Sequence, residues 1–177
     1  DIAPQVFKKQ FLSTFSHDMY LPPASGEDMK TILATLEEQY TTRLNPPIRQ
    51  ALLDLTDGYV QYLQLALLRL REETRPPTTR EQLFAMLLAD EQIALQSEEL
   101  FESLTKPEKD TLILLSKRDS INAELREKAA YLWNTGMVAD SKRETHIFSP
   151  LFAAYVAKAA AAPVSATARA LPAPPAG

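Results

Sequence analysis

Cysteine is absent from this 177-residue chain. That excludes disulfides, thiolate metal sites and cysteine nucleophiles, and it is consistent with a reducing compartment; a cytoplasmic location is expected. Histidine occurs twice, as His17 and His146, far apart and without a ligand partner at a recognised spacing. The plainer reading of both is a surface or strand position rather than a metal ligand. No apolar run reaches the roughly 18 residues of a membrane span. Glycine is scarce, with four residues, and no Gly-rich phosphate loop of Walker type, GxSxG or HExxH motif occurs. The carboxylate pairs Glu37-Glu38, Glu72-Glu73 and Glu98-Glu99 are sequence neighbours. On a helix such neighbours point about 100° apart and cannot converge on one substrate. An autonomous enzyme is therefore not expected.

What is present is the material of a globular, helical chain, with 45% hydrophobic and 24% charged residues. Charge is unevenly spread. Residues 1–104 carry 9 Lys/Arg against 16 Asp/Glu, whereas residues 105–158 carry 9 against 7. The acidic part repels phosphate backbones, so any nucleic-acid role is confined to the weakly basic C-terminal part. The start, Asp1-Ile2-Ala3-Pro4, has neither an initiator Met nor a signal-peptide layout, and is read as the cut end of a fragment.

The 13 prolines fall where helices begin or linkers run. A helix is expected over Val6 to Phe15, followed by an extended Tyr20-Leu21-Pro22-Pro23. Ser25-Gly26-Glu27-Asp28 starts the next helix, with Met29, Ile32, Leu33, Leu36 and Tyr40 on one face. Asn45-Pro46-Pro47 starts another, with Ile48, Leu52 and Leu55 inward and Asp57-Gly58 as its break. Val60 to Leu70 is apolar nearly all round and is placed in the middle of a bundle. After the Arg75-Pro76-Pro77 linker, Thr78-Thr79 caps a long helix running to about Leu104, kinked near Asp90.

The last third changes grammar. Thr105-Lys106-Pro107-Glu108 forms a capping box for a helix through Leu112 and Leu115. Asn122 caps a helix carrying Leu125, Ala129, Leu132 and Trp133, and Gly136 stops it. Met137 to Asp140 and Thr145 to Phe148 read as two short strands around Ser141-Lys142-Arg143-Glu144. Ser149-Pro150 caps a final helix. Helix, helix, hairpin, helix is winged-helix order, and Trp133 and Phe148 are expected in its core. From about Ala160 the chain turns to Ala and Pro, as in a linker or disordered tail.

The fold class is thus mainly α: a helical, lid-like bundle over 1–75, a connecting helix over 76–104, a winged helix with a small β-hairpin over 105–160, and a tail over 161–177. Lys142 and Arg143 are the candidate DNA-phosphate contacts at the wing tip, although polar residues are also simply what a hairpin turn carries. The would-be recognition helix, Asn122 to Thr135, sets Glu124 and Glu127 beside Arg126 and Lys128, a poor composition for base readout.

The order of these segments is similar to a known one. Tyr20-Leu21-Pro22-Pro23 with the capped acidic helix after it resembles the segment entering the helical lid of STAND-class signalling ATPases, relatives of the AAA+ enzymes. Leu55 to Leu63 resembles the lid helix whose start carries a Gly-x-Pro nucleotide-sensing motif in that family. Leu104 to Glu108, Leu132 to Val138 and Ile147-Phe148-Ser149-Pro150-Leu151-Phe152 resemble the winged helix that follows. Gly58 matches the first motif position, while Val60 stands where the family has Pro. The resemblance implies that Gly58 and Tyr59 lie at a nucleotide-sensing position. It implies ATP or ADP in a parent protein with none held by the fragment itself, and an upstream ATPase core and other protein domains as partners. DNA is not expected as a partner, nor is a membrane. The alternatives are a winged-helix transcription regulator and a helical protein-interaction adaptor.

Overall fold

The computed structural model describes residues 23–141 and 144–161. The expected helix over Val6 to Phe15, the wing-tip residues Lys142 and Arg143, and the Ala/Pro tail lie outside the described residues. Within them are nine helices and two antiparallel strands.

Helix α1 (Gly26–Gln39) begins where Ser25 Oγ accepts a hydrogen bond from the Asp28 backbone N–H, and Glu27 and Asp28 sit favourably in the first turn. Its buried face is Met29, Leu33 and Leu36. Helix α2 (Pro46–Thr56) is capped by Asn45, whose Oδ1 accepts from Ile48 N–H at 2.9 Å, and it buries Ile48, Ala51, Leu52 and Leu55. It ends as Asp57 and Gly58 take left-handed conformations, φ 42° and φ 83°. Helix α3 (Val60–Glu72) is amphipathic rather than apolar all round. Tyr62, Leu63, Ala66, Leu67 and Leu70 are buried, Leu65 and Leu68 are half-buried, and Gln61 and Gln64 face solvent.

The single long helix expected after Thr79 is two helices, α4 (Arg80–Leu88) and α5 (Glu91–Glu102). The break has a definite cause. Asp90 Oδ1 accepts from both Gln92 N–H and Ile93 N–H at 3.0 Å, so Asp90 caps a new helix instead of continuing the old one. Helix α6 (Lys106–Ser116) opens as foreseen, with Glu108 accepting from the Thr105 backbone N–H at 2.7 Å. The helix expected over Asn122 to Thr135 is also divided, into α7 (Ala123–Lys128) and α8 (Ala130–Asn134). Buried Ala129 leaves helical geometry between them, at φ −104° and ψ 22°.

Strands β1 (Val138–Asp140) and β2 (Thr145–Ile147) pair antiparallel in the register Val138↔Ile147, Ala139↔His146, Asp140↔Thr145. Phe148 N–H extends the ladder to Met137 O at 2.9 Å. The last helix, α9 (Pro150–Ala161), packs against α2, α4, α5, α6 and β2. Its Leu151, Phe152 and Val156 join the same hydrophobic core as Met29 and Leu33 of α1. The helices read as a lid-like bundle and those read as a C-terminal unit therefore share one core, with α9 as the element common to both.

Candidate functional site

The Asp57-Gly58-Tyr59 turn is the place where distant parts of the chain meet. Gly58 O accepts from Ala24 N–H at 3.0 Å, which draws the incoming segment onto the turn. From the other side comes the Phe148-Ser149-Pro150 segment. Ser149 Oγ donates to Leu55 O at 2.7 Å, and Ser149 N–H donates to the Asp57 carboxylate at 3.3 Å. Ser149 was expected to cap α9 with its side chain. Its carbonyl does accept the first helical bond, from Ala153 N–H, but its buried hydroxyl is spent on α2 instead. A left-handed backbone at Ser149, φ 46°, accompanies this orientation.

Tyr59 closes the site. Its half-buried ring meets Tyr62 edge-on at 4.7 Å and Phe148 edge-on at 5.7 Å between centroids. Its hydroxyl donates to Gln61 Oε1 and accepts from Gln96 Nε2 of α5 at 3.3 Å. Deeper in, the Tyr62 hydroxyl lies 2.6 Å from Ser97 Oγ. Ser97 donates its own proton to Ile93 O, so Tyr62 is the donor in that pair. Burial pushes both phenols above their ordinary pKa, Tyr62 the more strongly.

The two residues assigned to nucleotide sensing thus have intrachain partners. Gly58 faces Pro23 and Ala24, and the Tyr59 ring and hydroxyl are both engaged. The cavity beside the turn, about 170 Å³, is bordered by Asp54, Asp57, Gly58 and Lys30. It falls below the roughly 300 Å³ at which ligand sites begin, and its two carboxylates repel phosphate. A wider groove of about 730 Å³ lies away from it, between the end of α1 and the start of α2, with Glu37, Glu38, Arg43 and Arg49 on its walls. Glu37 is engaged there by Arg49 at 3.2 Å and by Leu44 N–H at 3.1 Å.

The candidate DNA face is divided. Lys142 and Arg143 are outside the described residues. Arg126 lies over the Trp133 ring, 4.5 Å from its centroid, and donates to Asp140. Lys128 pairs with Glu124 at 2.7 Å. Hydrogen bonds from Arg126 first and Thr145 second hold the Asp140 carboxyl down to about 2. Phe148 is buried as expected, whereas Trp133 is only half-buried, packed against the core with Arg126 over its ring. Its indole N–H is buried and meets no acceptor at ordinary hydrogen-bond geometry among the described residues, although Trp133 adds to the lowering of the Asp140 carboxyl.

Ser149, Asp57, Gln96 and Ser97 carry the site's polar contacts, and sequence reading did not single them out as partners. The available signal was the distinctive FSPLF segment, which marked the right place without naming what Ser149 holds. Comparison with protein-family models, with curated proteins and with solved structures finds no match to this chain.

Proposed function

We propose that the chain is a non-catalytic regulatory module of a STAND/AAA+-like signalling ATPase, a helical lid-like part followed by a winged helix, and that it transmits nucleotide state through interdomain contacts. The observation that carries this reading is the double hydrogen bond from Ser149 to Leu55 and Asp57. It ties the start of α9 to the turn that the resemblance assigns to nucleotide sensing. Motion imposed on that turn by an upstream core would reach α9, and through α9 the helices packed on it. The role of Gly58 and Tyr59 in this scheme is mechanical. ATP or ADP would be held by the upstream core, and the partners would be that core and other protein domains.

The order α6, α7, α8, β1, β2, α9 supports the winged-helix part of the reading, with bounds near 105–160, after the lid-like 1–75 and the connecting 76–104. Two observations favour protein over DNA as its partner. Arg126 and Lys128 are paired with carboxylates of this chain, and the stretch expected as a recognition helix, Asn122 to Thr135, is divided into α7 and α8 of six and five residues. Phosphate binding draws its affinity from released counterions and so needs unpaired cations. No helix among the described residues is long and apolar enough to cross a membrane.

The coding sequence immediately upstream of Asp1 tests the assignment. A Walker A loop followed by an acidic Walker B strand is expected. An upstream region without them overturns the ATPase reading. Duplex-DNA titrations at low and physiological salt test the alternative. Weak binding is expected, and tight binding with a steep salt slope, lost in Lys142→Glu and Arg143→Glu, would establish the transcription-regulator reading instead.

A further inference from the structure

We propose that Pro23 is a wedge that holds the α2–α3 turn and the β-hairpin in one fixed relation, so that withdrawing it frees the hairpin while the helices stay folded. This goes beyond the ATPase reading and does not depend on it. The geometry rests on two glycines 78 positions apart in the chain. A Cβ at Gly58 would stand 2.6 Å from Pro23 Cβ and 2.7 Å from Ala24 O. A Cβ at Gly136 would stand 2.6 Å from Pro23 Cδ and 3.2 Å from its Cγ. The pyrrolidine ring therefore sits against bare backbone on two sides, at the turn between α2 and α3 and at the turn from α8 into β1.

Both glycines have positive φ, 83° and 74°, so each site is fixed by backbone conformation as well as by space. A proline suits the position between them. Its φ is fixed near −65°, its ring is rigid, and it has no N–H to leave unpaired. One hydrogen bond, Ala24 N–H to Gly58 O, seats the ring. On the hairpin side its contact is packing alone, against the glycine that immediately precedes Met137, whose carbonyl accepts from Phe148 N–H. Displacing residues 23–24 removes the hydrogen bond to Gly58, the packing of the ring on both glycines and that of Ala24 on the core, and leaves every helix with its own ladder. The element set free is the hairpin, held otherwise by its short ladder and by its packing on α6, α8 and α9. Any pull or push on the chain before Pro23 thus acts on the hairpin as well as on the α2–α3 turn.

The test is amide hydrogen exchange on the whole chain carrying Pro23→Gly. Exchange of Phe148 and Ala24 is expected to rise about tenfold or more beyond any change at Leu67 and Leu70 in α3, the signature of local rather than global opening. An equal change at all four amides, or none, overturns the proposal. A double-mutant cycle provides the second reading. Gly136→Ala should destabilise less in the Pro23→Gly background, because the ring atoms it would strike are gone while the strain of its φ of 74° remains. Gly58→Ala should be relieved less, because Ala24 O still stands 2.7 Å from the added Cβ. Additive losses for Pro23→Gly and Gly136→Ala would show that the two residues share no contact, and would overturn the wedge. If Gly136→Ala alone does not fold, rescue of its folding by Pro23→Gly supports the wedge, and failure of that rescue together with equal exchange at all four amides overturns it.

Discussion

Two buried hydroxyls among the described residues, those of Ser149 and Tyr62, donate long-range hydrogen bonds. Ser149 is 1% exposed and reaches back 94 residues to Leu55 O. Replacing it with Ala leaves a buried carbonyl short of its donor, a loss of about 1–3 kcal/mol in urea denaturation. Tyr62 reaches Ser97, and Tyr62→Phe should cost about 1 kcal/mol, since Ser97 keeps its bond to Ile93 O. The Tyr62 phenol also gives a pH signature. Its pKa is raised in the fold above the ordinary 10.0, so the folded chain keeps the proton that the unfolded chain releases. The contribution is complete below about pH 10 and is lost as pH rises above it, and Tyr62→Phe should make the alkaline fall in stability shallower. Asp140 behaves in the opposite sense. Its lowered pKa gives a contribution present above the ordinary 3.8 and lost as pH falls toward about 2, which Asp140→Asn should abolish at the hairpin. None of these partnerships was legible in the sequence. A serine before a proline reads as a helix cap, and no local pattern says that its hydroxyl is committed to another helix.

At the scale of elements, starts were more legible than stops. Ser25, Asn45, Thr79, Thr105 and Asn122 were each read as a helix start, and each precedes the first residue of a helix. A cap is a local device, one side chain satisfying orphan backbone donors within three residues, so sequence suffices to find it. Interior breaks were read less well. Asp90 was taken for a kink because apolar residues continue on both sides of it, yet its carboxylate binds two backbone N–H groups and starts α5. Ala129 gave no signal at all. Alanine favours helix, and its departure from helical geometry goes with full burial between α7 and α8. Asn45→Ala should cost about 1 kcal/mol, as for other lost N-caps. Asp90→Ala should cost at least as much, because two donors lose their acceptor, and amide exchange should rise at Gln92 and Ile93 ahead of the rest of α5.

For the molecule as a whole, the position of α9 decides the behaviour. Lid-like bundle, connecting helix and winged helix were read as consecutive units, and the described residues are mainly helical with one two-stranded antiparallel sheet. What the sequence could not convey is that α9, the last helix, is buried against α2, α4 and α5 as well as α6. Contacts between residues a hundred positions apart leave no periodicity to read. Phe152, fully buried in α9, is the natural probe. Phe152→Ala should cost about 3–5 kcal/mol and move a single unfolding transition, where independent units would give two. Trp133→Ala should cost less, since Trp133 is only half-buried. The chain alone should not turn over ATP.

The claim on which the functional account stands is that the Gly58 turn and α9 move together in response to nucleotide. Amide exchange on the full-length protein, loaded with ADP and then with a non-hydrolysable ATP analogue, measures this directly at Gly58, Tyr59, Phe148 and Ser149. The expected result is a nucleotide-dependent change at both sites, and in the Ser149→Ala variant a change at Gly58 and Tyr59 without one at Phe148. Identical exchange in the two nucleotide states, or a response at Phe148 that survives Ser149→Ala undiminished, would contradict it.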